Sequence, residues 1–201
     1  MIAIIDYDAG NMLSVVKALK HLGEDPVITR DPKVLRDADK VILPGVGAFG
    51  DAMNRLCSYD LVPVIREVIA DNRPFLGICL GQQLLYEESE ESPGVKGIGV
   101  LSGKIRRIPK GQYRKIPHMG WNSLAFPKKG RLFEKIEEGA YVYFVHSYYL
   151  DATDRTTVAA TTDYNVTIDA SVESGNVFAC QFHPEKSGAV GLKILENFIK
   201  L

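Results

Sequence analysis

Long apolar runs, a surplus of one charge and a cysteine framework are all missing from this chain of 201 residues. No stretch approaches the ~18–20 consecutive apolar residues that a membrane-spanning helix needs. Lysine plus arginine number 24 and aspartate plus glutamate 25, a net charge of −1. That balance argues against nucleic acid or an anionic membrane as the main partner, because such binders carry a basic excess. The opening Met1-Ile2-Ala3-Ile4-Ile5-Asp6 has no basic segment, no long apolar stretch and no small-residue cleavage site, so no secretory signal is expected. The three cysteines, Cys57, Cys79 and Cys180, cannot all pair, and their spacing suits neither a disulfide scaffold nor zinc. A reducing cytoplasm with free thiols is the expectation. No cluster of His, Cys and Asp has metal-ligand spacing, so neither metal nor cofactor is expected.

What is present is ordinary globular material. The composition is 46% hydrophobic and 24% charged, and the length suits one domain, residues 1–201. A chain of this size buries roughly 70% of its unfolded surface without staples. No repeat or long linker divides it.

The first half alternates strand and helix signals. Ile2–Ile5 is a strand, and Ala9-Gly10-Asn11 a turn. A helix carrying Met12, Val15, Val16, Leu19 and Leu22 stops at Gly23. Pro26–Thr29 is a second strand, and Asp31-Pro32 reads as a cap with proline at the first helical position. Val41–Leu43 enters the turn Pro44-Gly45-Val46-Gly47. Asp60 is expected to cap a helix with Leu61, Val64, Ile65, Val68 and Ile69. Phe75–Cys79 is a strand and Leu80–Glu88 a helix.

Strict alternation with apolar strands predicts a mostly parallel central sheet flanked by helices. The second half offers closely spaced strands at Ile98–Leu101, Lys104–Ile108, Trp121–Ala125, Tyr141–Tyr149, Thr156–Thr162, Ile168–Glu173 and Val177–Phe182, an antiparallel or mixed portion. A last helix has Ser187 as its cap and buries Val190, Ile194, Leu195 and Phe198. The fold class is α/β.

Gly77-Ile78-Cys79-Leu80-Gly81 has the form G-x-C-x-G between an apolar strand and a helix, the cysteine counterpart of a nucleophile elbow. Such a turn lifts the side chain above the sheet, and its glycines are needed where neighbouring Cβ atoms would collide. Read alone, the motif fits a nucleophile or a buried structural cysteine equally. Cys57, in a helical stretch, and Cys180, in an apolar strand, read as packing residues.

A nucleophilic thiol needs a base, and the base an orienting group. His183, in Gln181-Phe182-His183-Pro184-Glu185, closes an apolar strand. Extended backbone over His183–Glu185 would point both side chains the same way. Alone, His-Pro-Glu is equally a surface turn; beside the cysteine elbow it becomes a candidate base with its acid. Leu43–Gly50 is glycine-rich and follows a strand of the same sheet, where backbone N–H groups can face a developing oxyanion. It lacks the Lys-Ser/Thr of a P-loop and the G-x-G-x-x-G spacing, which argues against a nucleotide.

Pro44-Gly45-Val46-Gly47, Gly77-Ile78-Cys79-Leu80-Gly81-Gln82-Gln83 and Gln181-Phe182-His183-Pro184-Glu185, in this order, resemble the class I (triad) glutamine amidotransferases over nearly the whole chain. The resemblance implies their flavodoxin-like fold and a glutaminase working through a Cys79–His183–Glu185 triad. It also implies an oxyanion segment at Gly45, Val46 and Gly47 with Leu80, and Gln83, Ser147 and Tyr148 at bound glutamine. Within the family, four segments narrow it to the glutaminase subunits of imidazole glycerol phosphate synthases: Asp8–Asn11, Pro44–Gly50, Pro117–Asn122 and Tyr143–Tyr148. Those subunits hand ammonia to a (β/α)8-barrel cyclase, making imidazole glycerol phosphate for histidine synthesis and aminoimidazole carboxamide ribotide.

By the same resemblance Asn11, Tyr143 and Lys186, together with the stretch His118, Met119, Trp121 and Asn122, face the cyclase. Trp121, the single tryptophan, is expected to anchor that interface. Glutamine's α-ammonium needs an acid; the run Glu87–Glu91 reads as a solvated helix end, with Glu91 alone in it also a candidate for that cation. His146 is expected to play a structural part and His21 to lie on the surface. Gln82 departs from the family pattern, which has an apolar residue such as methionine there.

Overall fold

In the computed structural model, which describes residues 1–111 and 114–201, five strands run parallel at the heart of one sheet. Gln112 and Tyr113, in the polar loop expected at 110–115, lie outside the described residues. The chain runs β1 (Ile2–Ile5), α1 (Met12–His21), β2 (Val27–Thr29), α2 (Pro32–Asp37), β3 (Lys40–Gly45), α3 (Phe49–Ser58), α4 (Leu61–Ala70), β4 (Phe75–Cys79) and α5 (Leu80–Leu84). It continues through β5 (Glu88–Ser89), β6 (Gly103–Arg107), β7 (His118–Ser123), β8 (Tyr141–His146), β9 (Tyr148–Ala152), β10 (Val158–Asp163), β11 (Thr167–Ser174) and β12 (Val177–Cys180) to α6 (Gly188–Ile199). The large sheet has the order β10-β11-β12-β4-β3-β1-β2. Strands β2, β1, β3, β4 and β12 are mutually parallel, and β11 and β10 add an antiparallel edge. Strands β5, β6 and β9 form a small mixed sheet, and β7 with β8 a separate hairpin.

The parallel strands are apolar throughout because both faces are covered. In β1 the alternation is direct: Ala3 and Ile5 join the core under α2, α3, α4 and α5, while Ile2 and Ile4 join the core under α1 and α6. Helix α6 buries Ile194, Leu195 and Phe198, with Val190 at the margin. The β7–β8 hairpin sits on the α6 face through Val142 and Phe144.

Several expectations need correcting. Pro44 and Gly45 extend β3 rather than beginning the turn. The helical stretch around Cys57 is α3, which starts at Phe49, inside the glycine-rich segment Leu43–Gly50 expected as a loop; Phe49, Ala52, Met53 and Leu56 recur at helical spacing. Cys57 on α3 is exposed and outside the buried core, contrary to its reading as a packing residue, whereas Cys180 is buried as expected. Asp60 stands before α4 but in left-handed backbone, φ 53, with no capping bond. The α5 helix stops at Leu84, not Glu88. The Ile98–Leu101 run forms no strand: its N–H groups go to the carbonyls of Leu84, Leu85 and Tyr86 at the end of α5. Tyr141–Tyr149 divides at Ser147 into strands of two different sheets. Ser187 precedes α6 without capping it, because its hydroxyl donates to the His183 carbonyl and accepts from the Tyr143 N–H.

Phe198 is fully buried and meets Phe178 edge-on at 6.2 Å. Phe198→Ala is expected to cost about 3–5 kcal/mol through lost burial and a residual cavity. The check is a lower urea midpoint at unchanged slope.

Candidate active site

The carboxyl ends of four neighbouring parallel strands converge. Strand β1 runs into Tyr7–Asn11, β3 into Val46-Gly47, β4 into Cys79 and β12 into Gln181–His183. The strand order reverses between β1 and β3, because β1 pairs with β2 on one side and β3 on the other. Ligand crevices in open α/β sheets form outside the strand ends at such a point.

Cys79 has φ 55 and ψ −110, a conformation foreign to side-chain-bearing residues. The neighbouring glycines explain how it is tolerated. A Cβ on Gly81 would collide with the Leu43 carbonyl oxygen, and one on Gly77 would lie 2.8 Å from the Gly81 oxygen. Backbone therefore packs on backbone, and the thiol is presented at the floor of a cleft of about 430 Å³.

His183 is 1% exposed, and its Nδ1 lies 2.8 Å from Glu185 Oε1. The other ring nitrogen, Nε2, is buried without a hydrogen-bond partner. Glu185 reaches the ring through a short 3-10 turn over Pro184–Lys186, not through the extended backbone expected. Burial pulls the imidazole down, but the neighbouring Cys79 thiol and the hydrogen-bonded Glu185 carboxylate outweigh it and push His183 up to about 9.

The same cleft is lined by Val46, Gly47, Leu80, Gln83, Glu91, Ser147 and Tyr148. Gly45 is not among the lining residues; it closes β3, paired in register with Cys79. Gly47 has φ +100 and Val46 is 38% exposed, so the loop after β3 stands out over the cleft. Glu91 lines the cleft, yet one of its oxygens accepts the Phe49 N–H at 2.8 Å and so caps α3. Gln83 donates through Nε2 to the Tyr148 carbonyl at 3.0 Å and to Gln181 Oε1 at 2.8 Å. Gln82 is fully buried, donates to the Asp169 carbonyl at 3.3 Å and is not among the residues lining the cleft.

Two residues at the site escaped the sequence reading. Gln181 is fully buried, and its Nε2 lies 3.7 Å from Cys79 Sγ. Its signal was the two-residue spacing to His183 in the segment that follows β12. Tyr7 donates to the Pro44 carbonyl at 2.9 Å, bracing the end of β3; burial first, then the Cys79 charge, raises its phenol.

The expected interface residues separate. Met119 and Trp121 are 62% and 55% exposed on one face of β7, and the Tyr143 ring meets Trp121 edge-on. Lys186 is exposed. His118 is not a surface residue: at 2% exposure it stacks between Phe144 and Tyr164, with Nδ1 2.9 Å from His146 Nε2. Its position on β7 alternates with Met119 and so points inward. Asn122 is half-buried and donates to the Asp163 carbonyl. Asn11 is half-buried and donates to Glu185 Oε1 at 2.8 Å. His146 pairs with the Tyr148 carbonyl at 2.8 Å, and His21 is exposed. Among the described residues no group of three or more His, Cys, Asp or Glu is placed to hold a metal, and no helix is long and apolar enough to cross a membrane.

A family description, "Glutamine amidotransferase class-I", matches residues 3–201. The chain belongs to the class I glutamine amidotransferases. Among relatives of this amidotransferase, "Imidazole glycerol phosphate synthase subunit HisH" of Geobacillus sp. (strain WCH70) is 49% identical over 100% of this chain and 97% of its own length. The protein of the same name from Methanothermobacter thermautotrophicus is 49% identical, covering 100% of this chain and 98% of its own. A solved structure described as a glutamine amidotransferase superposes with a TM-score of 0.77 at 19% identity, over 100% of this chain and 98% of that one. The structure of PurLQS from Thermotoga maritima gives 0.76 at 22%, over 99% and 97%. Both share the fold.

The buried imidazoles set a pH dependence. Burial holds His118 at about 4 and His146 at about 3, both below the ordinary 6.5. Their contribution to stability is complete above pH 6.5 and is lost as pH falls from there toward 4 and 3, because the unfolded chain takes up protons first. His183 is shifted the other way, so its contribution is complete below pH 6.5 and lost as pH rises through about 9. The urea midpoint is expected to be highest near neutrality, with His183→Asn flattening the alkaline fall.

Proposed function

We propose that this chain is the glutaminase subunit of an imidazole glycerol phosphate synthase. It hydrolyses glutamine to glutamate and ammonia and passes the ammonia to a (β/α)8-barrel cyclase, within a single glutaminase domain spanning residues 1–201. The observation that carries the chemistry is the convergence of a strained, cleft-facing Cys79 with a buried His183 whose far nitrogen is held by Glu185. The full-length similarity to HisH proteins, at 48–49% identity in three of them, supports the choice of synthase.

The Cys79 thiol gives its proton to His183 Nε2, and the sulfur attacks the δ-carbonyl of glutamine. Backbone N–H groups of the Val46-Gly47 segment and of Leu80 stabilise the oxyanion. The imidazolium gives its proton to the departing ammonia, leaving a glutamyl thioester. Water, losing its proton to His183, then releases glutamate and restores the thiol. Glu185 holds the ring in one orientation and stabilises its charged form. Gln83 has both amide hydrogens committed to Tyr148 and Gln181, so it can offer substrate only its oxygen, an acceptor for the α-ammonium. The free oxygen of Glu91 suits the same cation.

The deciding experiment is a glutaminase assay of the chain alone and with a barrel cyclase and its nucleotide ligand. Low activity alone, rising in the complex, is expected; Cys79→Ala is expected to lower the rate by about 10⁴-fold or more and to abolish the thioester seen by mass spectrometry. Full activity alone, or turnover of γ-glutamyl peptides without ammonia transfer, would point to an independent hydrolase.

Trp121 is the proposed interface anchor, with Met119 beside it on an exposed apolar face. Trp121→Ala is expected to weaken complex formation by about 2 kcal/mol, roughly 30-fold in Kd. Calorimetric titration checks this, with the melting temperature of the free chain barely changed.

A further inference from the structure

The carboxylate of Glu185 is fully buried, and its two oxygens are treated unequally. Oε1 receives two donors, His183 Nδ1 at 2.8 Å and Asn11 Nδ2 at 2.8 Å. Oε2 is buried with no partner. A buried carboxylate needs its hydrogen bonds, and one held by a single donor is free to turn about its own axis. Asn11 is therefore half of what fixes the acid.

Asn11 is also placed in a way that its local role does not explain. It stands immediately before α1, where asparagine ordinarily caps the first N–H groups. Here it makes no such bond. Its backbone is left-handed, φ 71 and ψ 6, and the amide is turned across the molecule to a residue 174 positions away. The turn that carries it is braced at its other end. Asp8, also left-handed at φ 60, binds Arg30 at 2.6 Å and Tyr59, while Arg55 donates to its carbonyl. Asn11 does not line the glutamine cleft.

We infer that Asn11 is a positioning residue of the triad, its amide fixing the Glu185 carboxylate so that the acid presents one oxygen to His183. It acts through Glu185 and touches neither substrate nor the thiol. The assignment of a role in turnover rests on the glutaminase reading; the effect on His183 does not.

Two variants separate the amide from the backbone. Asn11→Gly keeps the left-handed turn without strain and removes the donor. Asn11→Asp keeps the shape and sets a second carboxylate against Oε1. Each is measured as the full chain assembled with its barrel partner, for glutamine turnover, and as the free chain, for the titration of His183 by NMR. In both variants kcat is expected to fall about 10–100-fold, the usual effect of removing an outer partner that orients a functional imidazole, with KM within about two-fold. In Asn11→Gly the His183 titration moves down toward the ordinary imidazole value, because the acid no longer stays against Nδ1. In Asn11→Asp it does not move down, because the added negative charge favours the imidazolium. Wild-type kcat in either variant, or an unmoved His183 titration in Asn11→Gly, overturns the inference. If the wild-type complex fails to hydrolyse glutamine, the functional reading falls, while the titration still decides the role of Asn11.

Discussion

Everything at the site depends on backbone packing against backbone at the end of β4. Gly81 lies so close to the Leu43 carbonyl that no side chain fits between them. That approach forces the chain from strand to helix within one residue, and Cys79 bears the cost in its φ and ψ. Strain of this kind is about 1–3 kcal/mol and persists only where the surroundings leave no alternative. The surroundings here are the register of β3, β4 and β12, which sets Gly45 opposite Cys79 and Ala179 opposite Gly77. The strained turn and the strand order are thus one constraint: the parallel sheet places the thiol, the glycine loop and the histidine on its carboxyl edge together.

A buried imidazole and a buried carboxylate would each be costly alone. They are tolerated as a pair, and the pair is extended outward by hydrogen bonds. Glu185 reaches Asn11 on the turn after β1, and Gln181 links Cys79 to Gln83 and through it to Tyr148. His146 and His118 continue the polar path into the β7–β8 hairpin, where burial holds both neutral at physiological pH. The hairpin that exposes Met119 and Trp121 is in this way joined to the wall of the cleft by short hydrogen bonds. Two sets of side chains with opposite tasks, one apolar and outward and one polar and inward, alternate along the same strand.

Much of this was legible in the sequence. The first parallel strands and the turn at Cys79 announce themselves through local rules: apolar runs, and glycine where backbones touch. The failures are equally physical. His118 looked like an exposed loop residue because Met119 and Trp121 beside it are; in a hairpin its neighbours face the opposite way. Ile98–Leu101 reads as a strand by composition, yet its N–H groups finish the end of α5. Glu91 looked like a free acid in a charged run, and one of its oxygens is occupied at the start of α3.

What the sequence determined by itself is the chemistry within a few residues of each motif: a cysteine on an elbow, a histidine and a glutamate two residues apart, and a glycine loop after an apolar strand. Their meeting was decided by the sheet. Asn11 and Glu185 are 174 residues apart, and Gln181 and Cys79 are 102 apart. No periodicity or local propensity encodes contacts at such separations. They exist because strands distant in the chain are neighbours in the order β12-β4-β3-β1, and that order is a property of how two apolar faces are covered, which only the folded chain resolves.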